Sequence, residues 1–169
     1  GIRFLKHLAR CRILLHVVDI APWDQTDPVE SVDAIAGELR LFSPALADRE
    51  RWLVLNKIDL LPEAEAQARC QEIIDDLGWE GPVFRISAAN GVGTGELVFA
   101  IMNHLEELDQ RMAADEAFAE AERAARQRLE EEARLKIQEY KHERRRQRNA
   151  DADDDDDDDH DVEVVYAPH

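Results

Sequence analysis

The run Ile13-Leu14-Leu15-His16-Val17-Val18-Asp19 decides the fold. Five of its seven residues are aliphatic, and Ile13, Val17 and Val18 are β-branched, which favours extended backbone. A half-solvated strand alternates apolar with polar residues. A nearly unbroken apolar run instead predicts a strand covered on both faces, as in a parallel sheet flanked by helices. Working outward, Pro22 and the polar Trp23–Pro28 stretch predict a loop. Residues 28–41 then place Val29, Val32, Ile35, Ala36 and Leu39 at helical spacing, with Asp27 as the cap ahead of Pro28. The pattern repeats. Trp52–Leu55 predicts a second buried strand, and Glu63–Leu77 a second helix with Gly78 just past its end, where a left-handed residue is wanted. Val83–Ile86 predicts a third strand, and Thr94–Leu108 a third helix with Thr94 as its cap. Leu97, Val98, Ile101, Leu105 and Leu108 of that helix should face inward. Upstream, Ile2, Phe4, Leu5 and Leu8 share one helical face of Gly1–Arg10. Strand–helix alternation with short connections argues for an α/β fold with a parallel sheet. Three strands are few, since a complete doubly wound sheet has about five or six.

The composition divides the 169 residues into three parts. Residues 1–108 hold the α/β pattern, with 10 cationic against 18 acidic side chains. Residues 109–150 carry 11 against 10, and from 112 to 148 contain no Gly or Pro. This stretch predicts a long, charged, solvated helix, docking if at all at one end, because apolar residues are sparse and no heptad persists. Residues 151–169 carry ten acidic residues and no Lys or Arg, and the unbroken run Asp153–Asp159 predicts a disordered acidic tail. More than half of the net charge of -17 therefore belongs to that tail. No run of apolar residues is long enough to span a membrane. The first twenty residues lack the pattern of a secretory signal. Cys11 and Cys70 have neither metal nor disulfide spacing and read as buried thiols of a reducing compartment.

The chemistry concentrates in Asn56-Lys57-Ile58-Asp59, at the carboxyl end of the second strand, the edge where open parallel sheets bind ligands. These residue types suit guanine. The Asp59 carboxylate can accept from two adjacent donors, the ring N1–H and the 2-amino group, a charge-assisted pairing that adenine cannot offer. Asn56 can bridge the base edge to neighbouring backbone, the Lys57 stem can lie over the flat base, and Ile58 turns into the core. Ser87-Ala88-Ala89 follows the third strand and falls on the same sheet edge. Its small residues admit the base closely, and the Ala88 N–H can donate to the guanine carbonyl.

Together the two segments resemble the fourth and fifth guanine-nucleotide motifs of the P-loop GTPases. The flanks, Gly1–Leu8 followed by Cys11–Asp19, the Ala21–Pro28 loop, Leu41–Pro44 and Ser87–Leu97, are similar to the Obg family of ribosome-associated GTPases. This resemblance covers residues 1–108. It implies an incomplete three-layer G domain, the second half only, followed by the helix and acidic tail. It also implies that the intact protein binds GTP or GDP with Mg²⁺, hydrolyses GTP to GDP and phosphate, and acts in large ribosomal subunit assembly in the cytoplasm, contacting the subunit or its rRNA. The intact protein should be a monomer.

No Gly-x-x-x-x-Gly-Lys-[Ser/Thr] occurs in the chain, so the phosphate cradle and the Mg²⁺ hydroxyl are expected upstream of Gly1, and the chain alone should be inactive. Gly91-Val92-Gly93-Thr94-Gly95 lacks the lysine and reads as a strand-to-helix connection. Asp75-Asp76-Leu77-Gly78 mimics the Asp-x-x-Gly switch motif but reads as a helix end. No His pairs with Cys or a second His at ligand spacing, so no metal ligands are assigned, and no Ser sits in a nucleophile elbow. The rival reading is a non-enzymatic interaction module that binds RNA, the ribosome or a basic partner through the helix and tail. For Lys136–Arg148, with six basic residues against Glu139 and Glu143, RNA phosphates and a merely solvated helix end remain equally open.

Overall fold

A computed structural model describes residues 7, 8 and 10–154, with side chains as far as Gln147. The helix expected over Gly1–Arg10 falls mostly outside the described residues. Of the tail expected to be disordered over 151–169, residues 151–154 instead continue a helix, in line with the helix-forming stretch before them, and 155–169 lie outside the described residues. Strands β1 (Leu14–Asp19), β2 (Arg51–Asn56) and β3 (Val83–Arg85) form a parallel sheet in the order β1-β2-β3. Helix α1 (Pro28–Phe42) and the short α2 (Pro44–Ala47) lie between β1 and β2, and α3 (Glu63–Leu77) between β2 and β3. Helices α4 (Thr94–Ala114) and α5 (Glu116–Asp154) follow.

The helix boundaries follow local chemistry. The Asp27 carboxylate accepts from the Val29 N–H at 2.9 Å with Pro28 at the first helical position, as expected. Gly78 closes α3 in the left-handed region, so Asp75–Gly78 is a helix C-terminus. Thr94, however, is not the cap of α4. Gly93 holds that position at φ 72°, where a Cβ would collide with the Arg85 carbonyl oxygen, and the Thr94 hydroxyl donates to the Gly91 carbonyl instead. The third helix also continues past Leu108 to Ala114, because no breaker intervenes before Asp115. The Asp115 carboxylate then accepts from the Phe118 N–H and starts α5.

Strand β2 is buried on both faces, from Trp52 at 4% exposure to Leu53, Val54 and Leu55 at 0%. One face packs Leu53, Leu55 and Val18 against Val32 of α1 and Ala66, Cys70 and Ile73 of α3. The other packs Trp52 and Val54 against Ile86 and Leu97. Strand β1 departs from expectation. Leu14, His16 and Val18 are buried, but Leu15 and Val17 are 39% and 55% exposed. They share the face of their register partners Trp52 and Val54, and α4 does not extend over them. Val98, expected to face inward from α4, is exposed as well, so Leu97 and Ile101 carry the packing of that helix on the sheet.

A further cluster joins Leu14, Leu39, Phe42 and Leu46 to Leu129 and Ala133 of α5. The extension is thus solvated only beyond this docked segment, and its inner half belongs to the core.

Candidate functional site

The carboxyl ends of β2 and β3 carry all seven residues singled out in the sequence. Strand β2 ends at Asn56, and Lys57 takes the left-handed conformation at φ 66°, turning the chain into a 3₁₀ turn over Ile58–Leu60. The turn is held by the neighbouring strand ends. The Ile20 N–H donates to the Asn56 carbonyl at 3.2 Å, and the Ile58 N–H to the Ile86 carbonyl at 3.3 Å. Ile58 packs against the core below, as its apolar side chain requires. Asp59 is exposed on the outside of the turn.

The second segment is an ordered turn. Ser87 is fully buried, its carbonyl accepts from the Gly91 N–H at 2.9 Å, and its own N–H donates to the Val92 carbonyl at 2.9 Å. Ala88 and Ala89 project from this turn and are exposed. The two segments are tied directly: the Ala88 N–H donates to Asn56 Oδ1 at 3.0 Å across 32 residues of sequence. That bond corrects one expectation, because the Ala88 N–H is engaged within the protein. The adjacent Ala89 N–H makes no bond among the described residues.

Lys57 reaches towards β1. Its ammonium pairs with Asp19 Oδ2 at 2.5 Å, while Asp19 Oδ1 accepts from the Ala21 N–H at 3.1 Å. The lysine stem therefore spans the ends of β2 and β1, anchored at its far end. In the sequence Asp19 reads only as the last strand residue. A charged residue closing an apolar strand, one strand over from the motif, was the available signal.

Chemically, the rim offers an exposed carboxylate, an amide fixed through its oxygen, a tethered aliphatic stem and an open backbone turn within one sheet edge. Behind it lies a cleft of about 620 Å³, with Asp59, Ala66, Cys70, Arg85 and Val92 among its walls. Burial pushes the Cys70 thiol pKa up, against the nearby Arg85, so it stays neutral. Among the described residues, no group of three or more His, Cys, Asp or Glu side chains is placed to hold a metal ion. No helix there is long and apolar enough to cross a membrane. A scan of the chain against known protein families found no family that matches.

Proposed function

We propose that this chain is the guanine-reading half of an Obg-type GTPase. The observation that carries the reading is the Ala88–Asn56 bond at 3.0 Å, which joins two sequence-distant segments into one rim at the ligand-binding edge of a parallel sheet. With its oxygen held there, Asn56 keeps its NH₂ for a base nitrogen. Asp59 accepts from N1–H and the 2-amino group of guanine. The Lys57 stem, tethered to Asp19, forms a flat apolar strip on which the base face rests. The guanine carbonyl meets the Ala89 N–H, or shares that of Ala88.

The residues present fit the base and not the triphosphate. Phosphate affinity in this class comes from loop backbone, a lysine and Mg²⁺, and no such loop occurs in these 169 residues. In the intact protein, GTP and Mg²⁺ would meet those groups elsewhere, hydrolysis to GDP and phosphate would occur there, and the work would be assembly of the large ribosomal subunit in the cytoplasm. This chain supplies specificity. A few charge-assisted hydrogen bonds of about 1.5–3 kcal/mol each, less the cost of association, place a lone guanine nucleotide near millimolar affinity, about -4 kcal/mol.

Amide-resolved NMR titration of the chain with guanosine and adenosine monophosphates tests the reading. The guanine nucleotide should shift the amides of Lys57, Asp59, Ala88 and Ala89, and the adenine nucleotide should leave them in place. Asp59→Asn swaps one acceptor for a donor, which clashes with the 2-amino group of guanine but matches the carbonyl of xanthine. Preference should therefore pass to xanthosine monophosphate. Equal responses to guanine and adenine would overturn the proposal.

A further inference from the structure

Two hydrogen-bond donors are stranded at the amino end of β2. Arg51 opens that strand, and its Nη1 is buried with no partner among the described residues. Trp79, in the connection from α3 to β3, buries its indole Nε1 without a partner as well. The two side chains meet: the Arg51 guanidinium carbon stands 5.7 Å from the centroid of the Trp79 ring. A buried donor without an acceptor costs free energy, most of all when it is charged. The surroundings add positive charge. Burial and the Arg40 charge from α1 push the Arg51 pKa down, and burial and Arg51 lower that of His16 on the same face of the sheet, with no carboxylate offsetting either. Neither Arg40 nor Arg51 forms an ion pair among the described residues. Gly81 keeps the approach to the indole open. A Cβ there would lie 3.0 Å from Trp79 Nε1 and 3.4 Å from the Arg51 carbonyl oxygen, so a larger residue would crowd the nitrogen.

We propose that this cluster binds inorganic phosphate, which accepts from the Arg51 guanidinium and the Trp79 indole N–H beside the Arg40 charge. A dianion supplies the negative charge that the two arginines lack, and its tetrahedral oxygens accept from donors arriving from different directions. A carboxylate, with two oxygens in one plane, suits the guanidinium fork but leaves the indole unmet. The free ion fits better than an esterified one or a polymer backbone, because the orphan donors lie beneath the surface and only a compact ligand reaches them. Arg51 and Trp79 are themselves only half-buried, and Trp79 lies outside the helices and strands, so rotation of its ring admits the ion. The inference stands apart from guanine reading. Arg51 and Asn56 close opposite ends of β2, roughly 17 Å apart at about 3.3 Å per residue.

Proton NMR of the indole N–H groups tests it on the full chain, titrated with sodium phosphate and, at matched ionic strength and neutral pH, with sodium chloride and sodium acetate. Trp23 is 90% exposed and Trp52 Nε1 already donates to Glu50 at 2.8 Å, so their indole protons are internal controls. Phosphate should move the Trp79 proton downfield and saturably, with half-saturation on the order of 1–10 mM. Chloride and acetate should leave it in place. Arg51→Met removes the charge-assisted bonds and Gly81→Ala crowds the indole while keeping every donor, and each should weaken the response about tenfold or more. Arg40→Gln, at an exposed helix position, should weaken it less, and it keeps the test decisive if Arg51→Met disturbs the sheet. The amides of Asp59 and Ala89 should stay in place, which separates this site from the candidate rim. A Trp79 proton that ignores phosphate, that moves equally with acetate, or that responds undiminished in Gly81→Ala and Arg40→Gln would each overturn the proposal.

Discussion

His16 lies on the buried face of β1 at 7% exposure, and burial lowers its pKa below the usual 6.5, with the Arg51 guanidinium adding to the effect. A histidine whose folded pKa is depressed favours the neutral ring in the native state, so its contribution is present above 6.5. It is lost as the pH falls from 6.5 through the folded value, where the unfolded chain takes up the proton first. The native chain should therefore lose more urea resistance than His16→Leu on going from about pH 7.5 to about pH 5.5. Equal losses in the two proteins would show that His16 carries no such linkage. At this scale the candidate rim is partly legible. Asn56, Lys57 and Asp59 are readable because their chemistry sits in four consecutive residues at a strand end. The Lys57–Asp19 pair was not, because it depends on the register Asp19↔Asn56, which no local pattern announces. Nor was the use of the Ala88 N–H by Asn56, since every backbone amide looks alike in a sequence.

Among the elements, α5 differs most from its sequence-based expectation. Among the residues of α5 whose side chains are described, its docked face rests on only Ala119, Leu129 and Ala133 as buried apolar positions, too few to raise a periodic signal. Polar anchors do the rest. The Ser43 hydroxyl donates to Glu132 Oε2 at 2.6 Å, the Ala45 N–H donates to the same oxygen at 3.1 Å, and Arg49 pairs with Glu122 at 3.3 Å. Burial alone would raise the Glu132 pKa, but the bonds from Ser43, Ala45 and Arg128 outweigh it and leave the pKa lowered. These contacts link residues more than seventy apart in sequence, which is why charge pattern alone read as solvation. The predicted extents of α1 and α3, by contrast, agree with the structure to within a residue, because caps and periodicity are local. Leu129 fills the space between Leu14, Leu39, Phe42 and Leu46. Leu129→Ala should cost about 2–5 kcal/mol by urea denaturation, as for other buried leucines. Leu135→Ala, at a site 59% exposed on the same helix, should cost less than about 0.5 kcal/mol. Similar small losses at both positions would mean that α5 does not share the domain's cooperative unit.

For the whole molecule, the sheet is asymmetric in its covering. Strand β2 has helices on both sides, whereas β1 lies at the sheet edge with Leu15 and Val17 uncovered, among the described residues. The sequence run around them reads as doubly buried because an apolar residue records the need for cover and not what supplies it. Val98, Phe99 and Met102 of α4 are exposed too, at 54%, 66% and 55%, on the helix that flanks the same face. An edge strand with free backbone donors and acceptors beside apolar side chains is a template for pairing with another chain, and natural edges blunt it with charge. The -17 net charge opposes association, but ten of the acidic residues lie in the last 19 residues. At low salt that repulsion should keep chains apart. At about 0.5 M salt, with a Debye length of only about 4–5 Å, the edge should dominate. The chain should then elute from gel filtration as concentration-dependent oligomers, and Val17→Lys should return it to monomer by placing a charge on the uncovered face. Val54 beside it is fully buried, so the equivalent change there would test the core rather than the edge. A native chain that stays monomeric at high salt and high concentration would show that β1 is protected in some other way, and a Val17→Lys chain that associates equally would place the contact elsewhere on the surface.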